Sequence, residues 1–168
     1  MKELHLRPIG VIHSPHQQAA GTPVQSSLAT GISGTVEVLP EFAAGLKDLE
    51  AFDRIWLMYW FDRASPYHPT VKPYLDTVER GLFATRAPAR PNPIGISAVK
   101  LLSVEGNMLT VDGMDILDGT PLLDIKPYLP AFDAVQAEKT GWCGQLQVNA
   151  VLADGRFETD SKAGSKTK

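Results

Sequence analysis

The chain has 168 residues, 43% of them hydrophobic, and a formal net charge of −3. That length suits one domain with a real core, and the mild acidity excludes a global pull toward nucleic acid, so any such binding must use a local patch. A single cysteine, Cys143, excludes an intrachain disulfide framework; with no apolar run of transmembrane length and no signal-peptide pattern, the reading is a soluble, cytoplasmic protein.

Gly (14) and Pro (13) are spread along the whole chain and cut it into short segments, which favours many short strands over long helices. In chain order, strands are predicted at Leu6 to Ile12 and Gly34 to Leu39. One or two helical turns follow from Pro40 to Leu49, where Phe42, Leu46 and Leu49 share a face and Pro40 suits a helix start. A third strand, Arg54 to Phe61, is strongly apolar but far too short to span a membrane. Ile94 to Val104 and Met108 to Gly113 form a predicted hairpin around Gly106-Asn107. These five strands are rich in β-branched or aromatic residues. Gln145 to Leu152 alternates polar and apolar residues, as a half-buried strand does. From Thr159 the chain is Ser, Lys, Thr and Gly, a disordered polar tail. The expectation is one mostly β domain over residues 1–158 with a few short helices, closed into a barrel to remove its edges.

Common chemical signatures are missing. There is no Gly-x-Gly-x-x-Gly after a strand, no Walker-type loop, no Gly-x-Ser-x-Gly elbow and no zinc spacing among His5, His13, His16, His68 and Cys143. No metal is expected. Two stretches stand out instead. In Thr85-Arg86-Ala87-Pro88-Ala89-Arg90-Pro91-Asn92-Pro93-Ile94-Gly95 the prolines impose a stiff, extended backbone. It either presents Arg86, Arg90 and Asn92 to a ligand at low entropy cost, or is a rigid connector with solvated arginines. In Asp118-Gly119-Thr120-Pro121-Leu122-Leu123-Asp124-Ile125-Lys126-Pro127-Tyr128 a turn signal runs into apolar residues interrupted by an acid, a base and a phenol. That mixture suits a binding-site wall; the bland alternative is a capped turn followed by a surface ion pair. Asp124 and Lys126 flank Ile125 in strand-like alternation and share a face. Trp56, Tyr59, Trp60 and Phe61 form an aromatic cluster whose default role is packing.

These stretches, with Arg7-Pro8-Ile9-Gly10-Val11-Ile12-His13-Ser14-Pro15, closely resemble the TsaA-like (TrmO) family, from about Arg7 to about Trp142. The resemblance implies a single-domain β-barrel that binds S-adenosyl-L-methionine (SAM) as a homodimer, with the cofactor near the subunit interface. It implies methylation of N6 of threonylcarbamoyladenosine (t6A) at position 37 of tRNA, without metal or membrane. By position it assigns cofactor contacts to Pro23, Val24, Gln25, Phe61, Asp62, Arg86, Ile96, Asp118, Gly119, Thr120 and Pro121. Two positions depart from the pattern: Asp62 stands where many members have histidine, and Val24 where many have arginine. Several longer members carry a further C-terminal domain, where this chain has a short polar tail.

On that reading Asp124 and Tyr128 are the catalytic candidates near the acceptor, with Lys126 orienting Asp124. Arg86, Arg90 and Asn92 are the candidate tRNA contacts. The alternatives are a methyltransferase of this fold acting on another small molecule or RNA, and a non-enzymatic SAM-binding module.

Overall fold

A computed structural model describes residues 2–145 and 151–159. Six strands form a closed antiparallel barrel in the order β1(Gly10–His13), β2(Ser33–Val38), β7(Met108–Asp112), β6(Ile94–Glu105), β3(Arg54–Trp60) and β8(Thr120–Pro127), with β8 pairing back onto β1. Alternation dictates what fills it. Ile55, Leu57 and Tyr59 of β3 point inward, as do Val99 and Leu101 of β6 and Leu109 and Val111 of β7. Each fully buried aliphatic side chain contributes roughly 1.5–3 kcal/mol relative to exposure.

The predicted hairpin is present. Gly106, at φ 62, and Asn107 join β6 to β7, since Glu105 pairs with Met108. Asn107 then donates through Nδ2 to the Val38 carbonyl at 2.7 Å, tying the turn to β2. The Pro40 turn is 3-10 rather than α: Pro40–Leu46, then a second turn at Leu49–Ala51 after Asp48 in the left-handed region. Gly45 inside the first turn weakens any α-helical preference.

β8 was not among the predicted strands. Pro121 and Pro127 mask it, and Asp124 and Lys126 break its apolar run. It nonetheless closes the barrel, pairing Asp124 with Met58 and Lys126 with Trp56. Of the predicted strand Gln145 to Leu152, residues 146–150 lie outside the described residues, as does the tail beyond Thr159; Leu152 itself forms an isolated bridge with Pro23.

A lobe grows from the long β3-to-β6 connection. It holds a two-stranded ribbon, β4(Thr70–Val71) and β5(Arg80–Gly81), and a separate small core of Val71, Leu82, Ala87, Ala89 and Phe157, with Tyr74 packed on it. A four-residue helix, α1(Pro130–Asp133), follows β8. No helix among the described residues is long and apolar enough to cross a membrane.

Candidate functional site

Between barrel and lobe lies a cavity of about 920 Å³, at the upper end of the range for small-molecule sites. Its walls come from far-separated parts of the chain. Pro23, Val24 and Gln25 form one side, Phe61 and Asp62 follow β3, Arg86 and Arg90 come from the proline-stiffened loop, Ile96 lies on β6 and Thr120 opens β8. Aromatic faces of Tyr74, Phe83, Trp142 and Phe157 supply much of the remaining surface.

Hydrogen bonds lock these segments to one another. Arg86 donates to Oε1 of Gln25, joining two of the predicted cofactor segments. Arg63, which the sequence reading did not single out, donates through Nη2 to the Asp118 carbonyl at 2.8 Å and to Thr120 Oγ1 at 3.0 Å. It thereby ties Phe61-Asp62 to the turn at Asp118. Gly119 has φ 75, the left-handed conformation that makes glycine the natural residue there.

Asp118, Gly119 and Pro121 stand behind the cavity wall rather than on it. Asp118 accepts from the Ser14 amide at 3.1 Å, and that bond, followed by one from Gln17, holds its carboxyl below the usual carboxylate range. The amides of Asp118 and Gly119 donate to the carbonyls of His16 and Ile12. The turn is therefore pinned from behind by the Ile12–His16 segment.

Arg90 lines the cavity but spends Nη1 on the carbonyls of Thr85 (3.1 Å) and Ala87 (3.3 Å), and its guanidinium lies over the Phe83 ring. It holds its own loop in shape. Asn92 lies elsewhere, on a smaller cavity of about 250 Å³ beside Leu4, Leu6 and Trp60. Asp124, Lys126 and Tyr128 are not among the residues lining the main cavity. Asp124 and Lys126 form a 2.8 Å ion pair on the outer surface. Tyr128 packs against Trp56, whose ring centroid is 5.5 Å from its own and which lines the wall.

Sequence reasoning named Asp62 but missed a second acid on the cavity lining, Asp115. It follows β7, flanked by the buried Met114 and Ile116. Ser97 of β6 donates to it at 2.8 Å, and Tyr59 of β3 lies 3.1 Å from Ser97. A serine hydroxyl has one proton, so the chain runs from Tyr59 O–H to Ser97 Oγ to Asp115. Burial is the main reason the Asp115 carboxyl is raised to about 6, partly opposed by the Ser97 bond. Burial, then the Asp115 charge, raises the Tyr59 phenol. The available signal was a lone acid between two core residues. Among the described residues no group of three or more His, Cys, Asp or Glu is placed to hold a metal ion.

Fold and cavity together define a small antiparallel barrel with a lateral, ligand-sized site. The chain matches the family described as tRNA-methyltransferase O N-terminal domain over residues 11–134, and it belongs to that family. It is 52% identical over 153 residues to a probable S-adenosyl-L-methionine-binding protein of Pyrococcus abyssi, covering 90% of this chain and 83% of that one. It is 36% identical to the tRNA (adenine(37)-N6)-methyltransferase of Escherichia coli, covering 77% of this chain and 60% of that protein. A crystal structure of TrmO from Pseudomonas aeruginosa superposes with a TM-score of 0.71 at 40% identity, covering 84% of this chain and 63% of that one. The chain thus spans less than two thirds of that solved structure.

Proposed function

We propose that this chain binds SAM in the lateral cavity and transfers its methyl group to N6 of t6A at position 37 of tRNA, as a cytoplasmic homodimer. The observation that carries the reading is convergence. Pro23, Val24, Gln25, Phe61, Asp62, Arg86, Ile96 and Thr120, scattered over the sequence, meet on one cavity in a chain of the TrmO family.

The residues present fit the cofactor's chemistry. SAM carries an adenine, a carboxylate and two cationic groups. The cavity offers aromatic faces at Phe61, Tyr74 and Phe157, guanidinium groups at Arg86 and Arg90, and a carboxylate at Asp115. When bound, the cofactor supplies a methyl group activated by its sulfonium. The protein's part is to fix orientation, which can supply much of a rate enhancement. The Arg86–Gln25 clamp and the Arg63 bonds to the Asp118–Thr120 turn provide that rigidity. The carbamoylated acceptor nitrogen is more acidic than a plain adenine amine, so a weak base or water suffices. Asp124 and Tyr128, with Lys126, are the acceptor-side candidates; Tyr128 packs on the cavity-lining Trp56, and Asp124 and Lys126 are paired with each other. Arg86, Arg90 and Asn92 are the candidate tRNA contacts.

The homodimer is supported by an exposed apolar face. Trp60 and Ile94 pair across β3 and β6 and are 45% and 42% exposed, with Ile96 beside them at 48%. Because Ile94 and Ile96 also line the main cavity, a second copy seated there would complete its rim.

The test is nucleoside mass spectrometry of tRNA incubated with the protein and SAM, using one pool that carries t6A and one that lacks it. A methyl gain confined to the modified pool is expected. A second reading, a SAM-binding module without transferase activity, draws on the absence of Asp124, Lys126 and Tyr128 from the cavity lining. Binding of SAM with no methyl gain in either pool would favour it.

A further inference from the structure

We propose that Asp115 is the cavity's cation acceptor, the carboxylate against which a positively charged group of the bound ligand is held. The assignment rests on the SAM reading above and adds to it the residue that recognises the ligand's charge.

Three observations carry it. The first is placement: Asp115 lines the cavity on a loop fixed by Ser14 Oγ, which donates to the Ile116 carbonyl at 2.6 Å, and by the His16 ring, 3.0 Å from the Met114 carbonyl. The second is fixation. Ser97 donates to the carboxylate at 2.8 Å, backed by the Tyr59 hydroxyl, and the Ser26 amide donates as well. These donors anchor the group against swinging out to solvent. The third is charge. Among the described residues Asp115 forms no ion pair, whereas Asp62 is paired with Arg63 and Asp124 with Lys126. Arg86, the cation that acts on it from the proline-stiffened loop, is bonded to Gln25 instead. A half-buried carboxylate left without a counter-ion in a largely apolar cavity is costly. A ligand cation removes that cost.

The groups facing Asp115 are Tyr59 from β3, Ser97 from β6, the Ser26 amide from the turn after Gln25, and Arg86. Among the described residues Asp62, Arg63, Arg90 and Glu158 complete the charged lining, and no histidine is part of it. Burial brings the free carboxyl to about 6, so a cation must expel a proton to bind at pH 5 and need not at pH 7. The sign follows: affinity for a cation is full above the free-state value and falls below it.

Two cations are available on the ligand, the sulfonium and the α-ammonium, and three compounds separate them. SAM has both, S-adenosylhomocysteine has the ammonium alone, and 5′-methylthioadenosine has neither. Each is titrated calorimetrically into the full chain at pH 5 and pH 7, in two buffers of different ionisation enthalpy. The expected result is that SAM binds about tenfold more weakly at pH 5 than at pH 7 and releases close to one proton at pH 5. Asp115→Asn, nearly isosteric, should lose about tenfold or more at pH 7 and show no pH dependence. If the variant flattens the pH response of SAM but not of S-adenosylhomocysteine, the cation is the sulfonium; if it flattens both, it is the ammonium. Ser97→Ala, which keeps the charge and removes a bond that lowers the carboxyl, should move the wild-type pH response to higher pH, and this arm does not depend on Asp115→Asn folding. An Asp115→Asn variant that binds SAM as tightly as wild type at pH 7, with wild-type affinity equal at pH 5 and pH 7, overturns the assignment and leaves the cofactor reading standing. Failure of wild-type protein to bind any of the three compounds overturns both.

Discussion

Tyr59 is held in place by a side chain that is not there. Gly95 pairs with it across β3 and β6, and a Cβ at Gly95 would lie 2.2 Å from Tyr59 Cε2 and 2.4 Å from Cζ. The missing side chain lets the phenol ring lie over the β6 backbone with its hydroxyl at Ser97. Gly95→Ala should cost about 1–3 kcal/mol through overpacking, read as a lower urea midpoint at unchanged slope. Asp115 carries the opposite kind of strain. Its folded carboxyl is raised from 3.8 to about 6 by burial, so its contribution to stability is fully present below about pH 4 and is lost as pH rises through 6. Asp115→Asn should therefore stabilise the ligand-free protein at pH 8, by about 1–2 kcal/mol after discounting for partial exposure. That gain should vanish near pH 4, as thermal unfolding at the two pH values would show. Equal effects at both would mean that the carboxylate is already neutralised at pH 8. The same substitution is expected to weaken SAM binding, so stability and binding should move in opposite directions.

The segment 151–159 acts as a strap between barrel and lobe. The Ala153 amide donates to the Thr22 carbonyl and the Ala153 carbonyl accepts from the Gly21 amide, while Val24 donates to Val151. Ser65 donates to Phe157 and Thr159 to Arg63. Phe157, 7% exposed, plugs the lobe's small core against Tyr74, with ring centroids 5.2 Å apart. Phe157→Ala should remove about 3 kcal/mol of local stability. Hydrogen exchange would show lost protection over residues 66–90 with barrel amides unchanged, because the barrel has its own core. SAM affinity should fall with it, since Phe157 and Glu158 line the cavity. The strap was not legible in the sequence: its bonds are backbone bonds to segments about 90 to 130 residues away, and no local pattern announces such pairing. The five strands that were legible carry their own signal in alternating Ile, Val and Leu and in the Gly106-Asn107 turn. β8 carried a weaker one, since its prolines and its Asp124–Lys126 pair suit only a strand whose outer face is wet. The Tyr59–Ser97–Asp115 chain draws one residue from each of three segments, and the β3–β6 register together with the loop after β7 assembles it. The stretches holding Arg86 and Asp118 stood out beforehand, because stiff proline backbone and a positive-φ glycine leave local marks.

Trp60, Ile94 and Ile96 form one exposed apolar face on the outside of the barrel. Leu4 and Leu6, also exposed, flank it around the smaller cavity, together with Leu123. Exposed apolar residues gathered in one place mark an interaction surface. A second copy of this chain is the proposed occupant, and the shared residues Ile94 and Ile96 link its arrival to the ligand site. Trp60 is the informative position, because it belongs to the face and to the smaller cavity but not to the main one. Placing a charge there leaves the main cavity's own residues intact. If Trp60 is a buried anchor of the interface, Trp60→Glu should weaken association by about 2 kcal/mol or more. Sedimentation would then show wild-type dimer and variant monomer, with the β signature of circular dichroism retained. If the partner completes the rim of the SAM site, the monomeric variant should also bind SAM more weakly, and raising its concentration until it dimerises should restore affinity. A wild-type chain that sediments as a monomer at every concentration would remove the dimer. A monomeric variant with undiminished affinity would confine the whole site to one chain.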